Sequence, residues 1–473
     1  MRARLVLPIA LLASVLCAAP ASAQGLPGLT TGFTDPVFQS ASPSVRAQWL
    51  TRAVEEHAGI VRLNITWASV PRERPPSEAA ASDPSWGGYD WASTDDAVSD
   101  AAAHGLRVQI TISGAPAWAE GTHRPSSAAP GSWMPSPAAF GAFARAAALR
   151  YSGDYAPPGS SAPLPRVRYW QAWNEPNLSL YLTPQWRRVR HAWAPASPAI
   201  YRTLLDAFYA AVKGAQPDAL ILSGGTAPYG DLPGGQRMPP AQFVRNLFCL
   251  SESGLRPERC PDPARFDILD HHPYSIEGPF FRAVNRDDVA IADMAKLTVP
   301  LRRAERLHLV GGARHHQVWV TELAWESSPP NPLGVPLATQ ARWLEQSFQL
   351  LWREGVSTVM WYLIVDLPPV PSYEVSFQSG GVYLLDGAPK PSATAFRFPF
   401  LTNPAGVDHA LAWGKAPSSG PVAIERQLGS TWRVLRTLHP GSGGVFQARL
   451  PARRGALLRA RQGGELSLGW RVG

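Results

Sequence analysis

The sequence predicts a (β/α)8 TIM barrel followed by a small C-terminal antiparallel β-sandwich domain. Between Gly32 and Phe400, short apolar runs rich in β-branched residues alternate with longer segments of helical period. This alternation is typical of repeated βα units, and there are eight such runs, the number that closes a barrel. After Pro399 the pattern changes to short alternating strands separated by turns that contain Gly and Ser.

The eight runs are the predicted barrel strands. They lie near Leu29–Phe33, Gly59–Thr66, Leu106–Ile112, Val167–Trp173, Ala219–Ser223, Phe266–His271, Val318–Glu322 and Val356–Ile364. An open, doubly wound sheet is the alternative, because it shows the same alternation of strands and helices.

The segments between the runs carry helix signals. Ser197 and Pro198 begin one helix, and Gly214 ends it after an apolar face that repeats every three to four residues. A second helix with the same spacing begins near Leu337 and ends before Gly355. The last five strands are predicted at Val422–Gln427, Trp432–Leu438, Gly444–Leu450, Ala456–Arg461 and Leu466–Val472.

The N-terminal sequence has the pattern of an export signal. Arg2 and Arg4 precede an apolar stretch, and small residues follow at positions 21–23. We therefore expect a signal peptide at 1–23, a barrel domain at 24–400 and a C-terminal domain at 401–473, in a secreted, extracellular protein. A membrane anchor is the alternative, but the apolar stretch is short for a span. No membrane anchor is expected after signal cleavage.

The charge and the cysteine content bear on the partners of the protein and on its disulfide bonds. The formal net charge is +8, but Lys and Arg are spread along the chain without a basic run, so we expect no nucleic-acid partner. Without the signal peptide two cysteines remain, Cys249 and Cys260, which in an exported chain predict one disulfide. Two unpaired buried thiols are the alternative.

Two glutamates stand where predicted strands end. Glu175 follows the fourth run in Trp173-Asn174-Glu175-Pro176, and Glu322 ends the seventh in Val320-Thr321-Glu322. Catalytic groups of a barrel lie at the carboxyl ends of its strands, so both side chains are expected to face one pocket. Cleavage of a glycosidic bond needs a carboxylic acid to protonate the departing oxygen and a carboxylate to attack the sugar carbon. The pair fits that chemistry.

These two motifs resemble those of the clan A retaining glycoside hydrolases, a TIM-barrel group, and most closely its family 39 and family 5 members. The resemblance covers most of the chain from Gly32 to about Phe398. It implies that Glu175 is the general acid/base and Glu322 the nucleophile.

The resemblance also implies a set of substrate-binding residues. Asn174 would hold the sugar 2-hydroxyl, Tyr274 would hydrogen-bond the nucleophile, and His272 would line the same subsite. Arg62 would keep the nucleophile ionised, and Trp361 would lie under the bound sugar.

The 18 tryptophans of the chain favour a saccharide ligand, because aromatic faces stack on sugar rings. Trp67, Trp118, Trp173 and Trp325 all fall near strand ends, and two or more of them are expected to form sugar platforms, with Trp118 among the binding residues. The four aromatic residues of the C-terminal domain, Trp413, Trp432, Phe446 and Trp470, are expected to serve mainly as core.

No cofactor and no metal are expected, since this chemistry needs only carboxyl groups and water. The histidine pair His271-His272 comes with no third ligand at a useful spacing in the sequence. The predicted function is a secreted retaining O-glycoside hydrolase that acts, as a monomer, on an extracellular poly- or oligosaccharide. A transglycosylase on the same barrel and a catalytically silent carbohydrate-binding protein are the alternatives.

Overall fold

The structure is a computed structural model that describes residues 26–260, 262–369 and 378–473. The predicted signal peptide at 1–23 lies outside these ranges. Within them, no helix combines the length and the apolar character needed to cross a lipid bilayer.

The secondary structure alternates strands and helices up to residue 397 and consists mainly of strands from there on. In chain order the strands are β1 Thr30–Thr34, β2 Ile60–Thr66, β3 Arg107–Ser113, β4 Tyr169–Ala172, β5 Trp186–Val189, β6 Ala192–Pro195, β7 Leu220–Leu222, β8 Ala264–Asp270, β9 Val310–Val320, β10 Ser327–Ser328, β11 Val335–Pro336, β12 Val356–Trp361, β13 Phe400–Pro404, β14 Ala410–Lys415, β15 Val422–Leu428, β16 Thr431–Leu438, β17 Val445–Leu450, β18 Leu457–Gln462, β19 Glu465–Leu466 and β20 Trp470–Arg471. The α-helices are α1 Pro43–Glu55, α2 Glu78–Ala81, α3 Ala92–Ala103, α4 Pro137–Arg150, α5 Ser197–Ala215, α6 Pro240–Leu247, α7 Ala295–Arg306, α8 Leu337–Arg353 and α9 Pro391–Arg397.

Eight parallel strands close into a barrel in the order β1, β2, β3, β4, β7, β8, β9, β12 and back to β1. Each corresponds to one of the eight predicted runs, so the barrel prediction is confirmed and the open sheet is wrong. The ring closes through β1, whose Thr30 pairs with Thr358 of β12 on one side and whose Gly32 pairs with Ile60 of β2 on the other. Strand β9 begins eight residues before the predicted run, at Val310.

The helices lie between consecutive barrel strands and bury their apolar faces against them. In α5 the predicted face of Tyr201, Leu204, Leu205, Phe208 and Val212 is fully buried. The helix begins at Ser197, which is its first residue and not its N-cap, and it ends one residue after Gly214. Three-residue to four-residue spacing places these side chains on one side of the helix. The strand ends are thereby fixed relative to one another, which positions the loops that follow them.

The C-terminal region consists of antiparallel sheets that pack against the barrel. One sheet has the order β13-β14-β17, and the other contains β16, β15, β18, β19 and β20. They enclose a separate apolar cluster that includes Phe400, Ile424 and Leu450. Trp413 of β14 instead joins the main barrel core, with its ring 6.0 Å from that of Trp352 in α8. The two layers thus form the predicted sandwich and share part of the barrel core.

The loop after β4 carries a two-stranded hairpin of β5 and β6, whose exposed residues include Trp193. A second excursion, after α6, contains the predicted disulfide. Cys249 and Cys260 are bonded to each other, with their Cα atoms 6.0 Å apart, inside the usual range for such a bond.

Candidate active site

Four barrel strands place side chains around one point at the carboxyl end of the barrel. Arg62 lies within β2, Glu175 follows β4, His272 follows β8 and Glu322 follows β9. A carboxylate oxygen of Glu175 and one of Glu322 lie within 4.8 Å of each other, with a ring nitrogen of His272 inside the same limit. The structure therefore brings together the two glutamates that the strand ends predict.

Glu322 is held by two donors. A guanidinium nitrogen of Arg62 donates to its Oε1, and the hydroxyl of Tyr274 donates to its Oε2 at 3.1 Å. Burial raises the pKa of Glu322, but the charges of His272 and Arg62 together with these hydrogen bonds outweigh it and leave the pKa below its ordinary range. Glu322 is consequently a carboxylate at neutral pH.

Glu175 has a different environment. Burial is the largest influence and raises its pKa; the neighbouring charge of Glu322 adds to the rise, while His272 opposes it. Its backbone lies in the left-handed region, with φ at 36°, and its N–H donates to the carbonyl of Gly225 at 3.0 Å. Non-glycine residues with positive φ are strained, and such strain concentrates at functional sites. The two pKa values diverge in the sense that an acid and a nucleophile need.

His272 connects the two glutamates to the inner barrel. Its Nδ1 lies 3.0 Å from Oε1 of Glu175 and 3.8 Å from Oε2 of Glu322. Its Nε2 lies 3.0 Å from the hydroxyl of Thr321, which donates to Asp270 at 2.5 Å. Burial lowers the pKa of His272, but Glu322, Asp270 and Glu175 raise it to about 10. The imidazole is therefore a cation that compensates the carboxylates around it.

The fit around His272 depends on a glycine. A Cβ atom at Gly225 would lie 2.2 Å from Nε2 of His272 and 2.6 Å from a carboxylate oxygen of Asp270. Any side chain at this position would displace the imidazole that contacts Glu175. The sequence alone gives no reason to single out this glycine.

Asn174 joins the cluster as expected. Its Oδ1 accepts a hydrogen bond from Arg62 at 2.8 Å, so one guanidinium orients both Asn174 and Glu322. Tyr181 also belongs here: Asn174 hydrogen-bonds it, and the charges of Glu175 and Glu322 act on its hydroxyl. Sequence reasoning missed Tyr181, because it lies in a loop whose path no pattern predicts.

The aromatic residue of the last barrel strand is not the expected one. Trp361 is fully buried, and its indole N–H donates to the carbonyl of Gly380 at 2.8 Å. The next residue, Tyr362, is partly exposed and lies close enough to Glu322 and Arg62 for their charges to act on its hydroxyl. After the last barrel strand it is therefore Tyr362 that borders Glu322, whereas the ring of Trp361 belongs to the core.

The surroundings of Trp118 differ from those of the two glutamates. Its ring packs edge-on against Trp67 at 5.8 Å and lines a surface cavity of about 450 Å³ together with residues of α2 and α4. Trp67, Trp173 and Trp325 are buried. The expectation is that two or more of these four tryptophans form sugar platforms. It is wrong, because the rings of Trp67, Trp173 and Trp325 are buried between the barrel and its helices and only Trp118 remains accessible.

The cluster also has the composition of a cation site. Glu175, His272 and Glu322 each offer one ligand atom, so the fold supplies the third ligand that the sequence spacing around His272 lacks. Arg62 already neutralises Glu322, and an imidazole with a pKa near 10 is protonated at neutral pH. The positive charges of Arg62 and His272 thus already lie against the two carboxylates.

Comparison with known proteins finds likeness at the level of structure. No protein-family model matches the chain, and no curated protein matches it in sequence. A family 39 glycoside hydrolase from the gut symbiont Bacteroides cellulosilyticus is similar, with a TM-score of 0.54 and 20% identity over 90% of this chain and 81% of that chain. A glucosidase from Croceicoccus marinus has a TM-score of 0.50 and 13% identity, over 90% and 93%. A family 39 β-xylosidase from Caulobacter crescentus has a TM-score of 0.50 and 15% identity, over 92% and 95%.

These matches cover at least 90% of this chain, so they include the barrel and most of the C-terminal sheets, and between 81% and 95% of the other chains. The chain therefore has the fold of the family 39 glycoside hydrolases of clan A, a TIM barrel with a sandwich of antiparallel sheets.

Proposed function

We propose that this chain is a secreted retaining glycoside hydrolase that cleaves O-glycosidic bonds of an extracellular poly- or oligosaccharide by double displacement. One observation carries the proposal: carboxylate oxygens of Glu175 and Glu322 lie within 4.8 Å of each other. Retaining enzymes hold their two carboxyl groups roughly 5 to 5.5 Å apart, whereas inverting enzymes need roughly 6.5 to 9.5 Å to admit a water. The shorter separation supports direct attack by one glutamate.

In the first step Glu175 is the acid and Glu322 the nucleophile. Protonated Glu175 gives its proton to the glycosidic oxygen as the bond from that oxygen to the anomeric carbon breaks. A carboxylate oxygen of Glu322 attacks the same carbon from the opposite face and forms a glycosyl ester. The raised pKa of Glu175 and the lowered pKa of Glu322 favour a protonated acid beside an ionised nucleophile.

In the second step Glu175 acts as a general base instead of a general acid. As a carboxylate it takes a proton from a water molecule, whose oxygen attacks the anomeric carbon and displaces Glu322. Two inversions give net retention, and both glutamates return to their starting protonation states. His272, with Nδ1 3.0 Å from Glu175, remains a hydrogen-bond donor to that carboxylate through both steps.

The surrounding residues take supporting roles in this proposal. Arg62 and Tyr274 stabilise the negative charge of Glu322 before attack and after release. Asn174, fixed by Arg62, presents its amide to a sugar hydroxyl beside the reacting carbon. Tyr362, which sequence reasoning did not identify, takes the place proposed for Trp361 beside the sugar.

The proposed class of substrate follows from the chemistry and from the fold. The structural neighbours include a glucosidase and a β-xylosidase, which supports a saccharide substrate. The reaction requires no cofactor, and a monomer contains every group that it uses. Because the predicted signal peptide directs export, the substrate is proposed to lie outside the cell.

A panel of aryl glycosides and polysaccharides tests this proposal, with the configuration of the first-formed sugar read by proton NMR. Retention on a cleaved substrate is expected. An inverted product would contradict double displacement, and absence of cleavage across the panel would contradict the hydrolase assignment. With an added alcohol or sugar acceptor, a transfer product that exceeds the hydrolysis product would identify a transglycosylase.

A further inference from the structure

A second cavity lies at the opposite end of the barrel from the glutamates. It encloses about 460 Å³ between the barrel and the C-terminal sheets. Its barrel side consists of residues at the amino ends of strands, including Thr30 at the start of β1, Gly59 just before β2 and Arg107 at the start of β3. None of the proposed catalytic residues contributes to it, so its role is independent of the proposed hydrolase activity.

Lys415, the last residue of β14, lines this cavity and is only 8% exposed. Within the described residues its Nζ has neither a hydrogen bond nor an ion pair. Burial alone lowers its pKa to about 8. Lysines are almost never this buried without a partner, because a desolvated ammonium is costly unless an opposite charge compensates it. Among the described residues no acid pairs with this amine, and its Nζ, which is not one of the fully enclosed side-chain atoms without a hydrogen bond, keeps some contact with the cavity.

A second basic side chain in the same cavity is also unsatisfied. The Nε2 atom of His57 is buried and has no hydrogen-bond partner among the residues that the structure describes. The nearby acid, Glu465, is already paired with Arg397 at 3.1 Å. Buried polar nitrogens in folded proteins are nearly always hydrogen-bonded, so an orphan such as this one requires an explanation.

The remaining lining makes the cavity electropositive. Arg107 lies at the exposed rim, and the lining residues include no Asp or Glu. Gly443 and Gly444, both with positive φ, form part of the wall, and a Cβ atom at Gly443 would lie 2.4 Å from the backbone nitrogen of Leu29. A Cβ atom at Gly443 would thus press on the backbone before β1, whereas one at Gly444 would lie 3.7 Å from Cγ of Lys415.

The charge of the whole C-terminal domain has the same sign. Residues 401–473 contain ten Lys and Arg against three Asp and Glu, a net charge of +7. The three acids are all engaged: Glu425 by Arg459 and Arg461, Asp408 by Arg453, and Glu465 by Arg397. No acid of this domain is left to neutralise Lys415.

We propose that the cavity is an anion-binding site that takes a small oxyanion, either inorganic sulfate or phosphate or the carboxylate of an acidic sugar. Lys415 supplies the ammonium, His57 supplies a hydrogen bond from Nε2, and Arg107 attracts the anion at the rim. Lys415 comes from the C-terminal domain, whereas His57 and Arg107 come from the barrel. A bound anion consequently cross-links the two parts of the chain.

Thermal unfolding of the full-length mature protein tests the site. The melting temperature is measured at constant ionic strength while sodium chloride is replaced by sulfate, by phosphate or by glucuronate. A ligand that binds only the folded state multiplies the folding constant by one plus its concentration over Kd, about elevenfold at ten times Kd. We expect a saturable rise with at least one oxyanion; the sulfate and phosphate arms identify an inorganic ligand, and the glucuronate arm an acidic sugar.

Two variants make the test specific. Lys415→Met removes the charge at similar volume, so it should abolish the saturable rise and should melt above the wild type in chloride, because the uncompensated amine is gone. Arg454→Met, at an exposed position of the same domain, changes the net charge equally and should keep the rise. If the methionine variant does not fold, Lys415→Gln replaces it in the same measurements.

Calorimetric titration of the same anions into the three proteins gives a second measurement. Binding by the wild type and by Arg454→Met, but not by Lys415→Met, would support the site. An equal melting-temperature rise in Lys415→Met and the wild type would overturn the proposal, as would the absence of any saturable rise in the wild type.

Discussion

The hydroxyl of Tyr274 donates a hydrogen bond to Oε2 of Glu322 over 3.1 Å. Tyr274→Phe removes this donor and leaves the ring. Because the bond helps to lower the pKa of Glu322, that pKa should rise, and the acid limb of the pH profile should move to higher pH. A hydrogen bond to a charged group contributes roughly 1.5 to 3 kcal/mol, so kcat/KM should fall about tenfold or more. An unchanged acid limb would show that Tyr274 does not act on Glu322.

The wild-type pH profile should be bell-shaped. Activity requires ionised Glu322, and is lost as pH falls through its lowered pKa. It also requires protonated Glu175, and is lost as pH rises through its raised pKa. Measurement of kcat/KM on an aryl glycoside from acid to alkaline pH checks both limbs. In Glu175→Ala the basic limb should disappear, and its persistence would assign that limb to another group.

Replacing Glu175 and replacing Glu322 should impair the reaction at different steps. Glu175→Ala leaves the nucleophile in place, so a substrate with a good leaving group should still form the glycosyl ester. Hydrolysis of that ester should then be slow, because no base activates the water. On a poor leaving group the rate of this variant should fall by about 10² to 10⁴. Added azide should restore turnover and give a glycosyl azide of retained configuration.

Glu322→Ala cannot form the ester, and any azide product should be inverted. Product configuration by NMR separates the two variants. If the two variants exchanged these products, the roles of the glutamates would be reversed.

The C-terminal domain should matter for stability more than for catalysis. Deletion from about Thr402 should lower the melting temperature, because Trp413 belongs to the barrel core. Trp413→Ala should cost about 3 to 5 kcal/mol of unfolding free energy, as is usual for buried tryptophans. The matched control is Trp432→Ala, which removes a stacking contact with Arg459 worth about 0.5 to 1 kcal/mol. A large loss of kcat in a folded truncated protein would instead give this domain a part in substrate binding.

Glu345 should make the stability of the fold depend on pH. It is fully buried in α8, its carboxylate lies 3.4 Å from the backbone nitrogen of Phe400 at the start of β13, and burial raises its pKa to about 8 despite Arg342. A carboxyl group whose folded pKa exceeds its unfolded value binds a proton more tightly when folded, so stability falls as pH rises from about 4.3 to 8. Glu345→Gln should flatten that dependence in melts between pH 5 and 8. An equally steep slope in the variant would place the titrating group elsewhere.

The sequence predicted the barrel well because each barrel strand is an apolar run bounded by turn residues. It missed β13 and β14 of the C-terminal domain. Alanine and glycine fill much of β14, and neither residue type favours strands. Ala410 and Ala412 of β14 are buried between the two C-terminal sheets and Trp413 against the barrel, and no local pattern reveals this packing.

Within the site the glutamates could be predicted from the strand ends, but the aromatic neighbour could not. The strand β12 ends at Trp361, so an error of one position exchanges a core residue of the strand for the pocket residue that follows it. This is the difference between Trp361 and Tyr362. Contacts such as that between Tyr181 and Asn174 depend on how a long loop folds back, which a sequence pattern does not fix.

The site is assembled from distant parts of the chain. Arg62 and Glu322, which contact each other, are 260 positions apart, and Glu175 and His272 lie 97 apart. No half of the barrel contains both glutamates with their partners, so the proposed turnover requires the two halves to meet, with β2 and β9 placed across the ring from each other. Recovery of activity during refolding therefore reports the meeting of the two halves, and fragments that collapse or form helices should remain inactive until they are reunited.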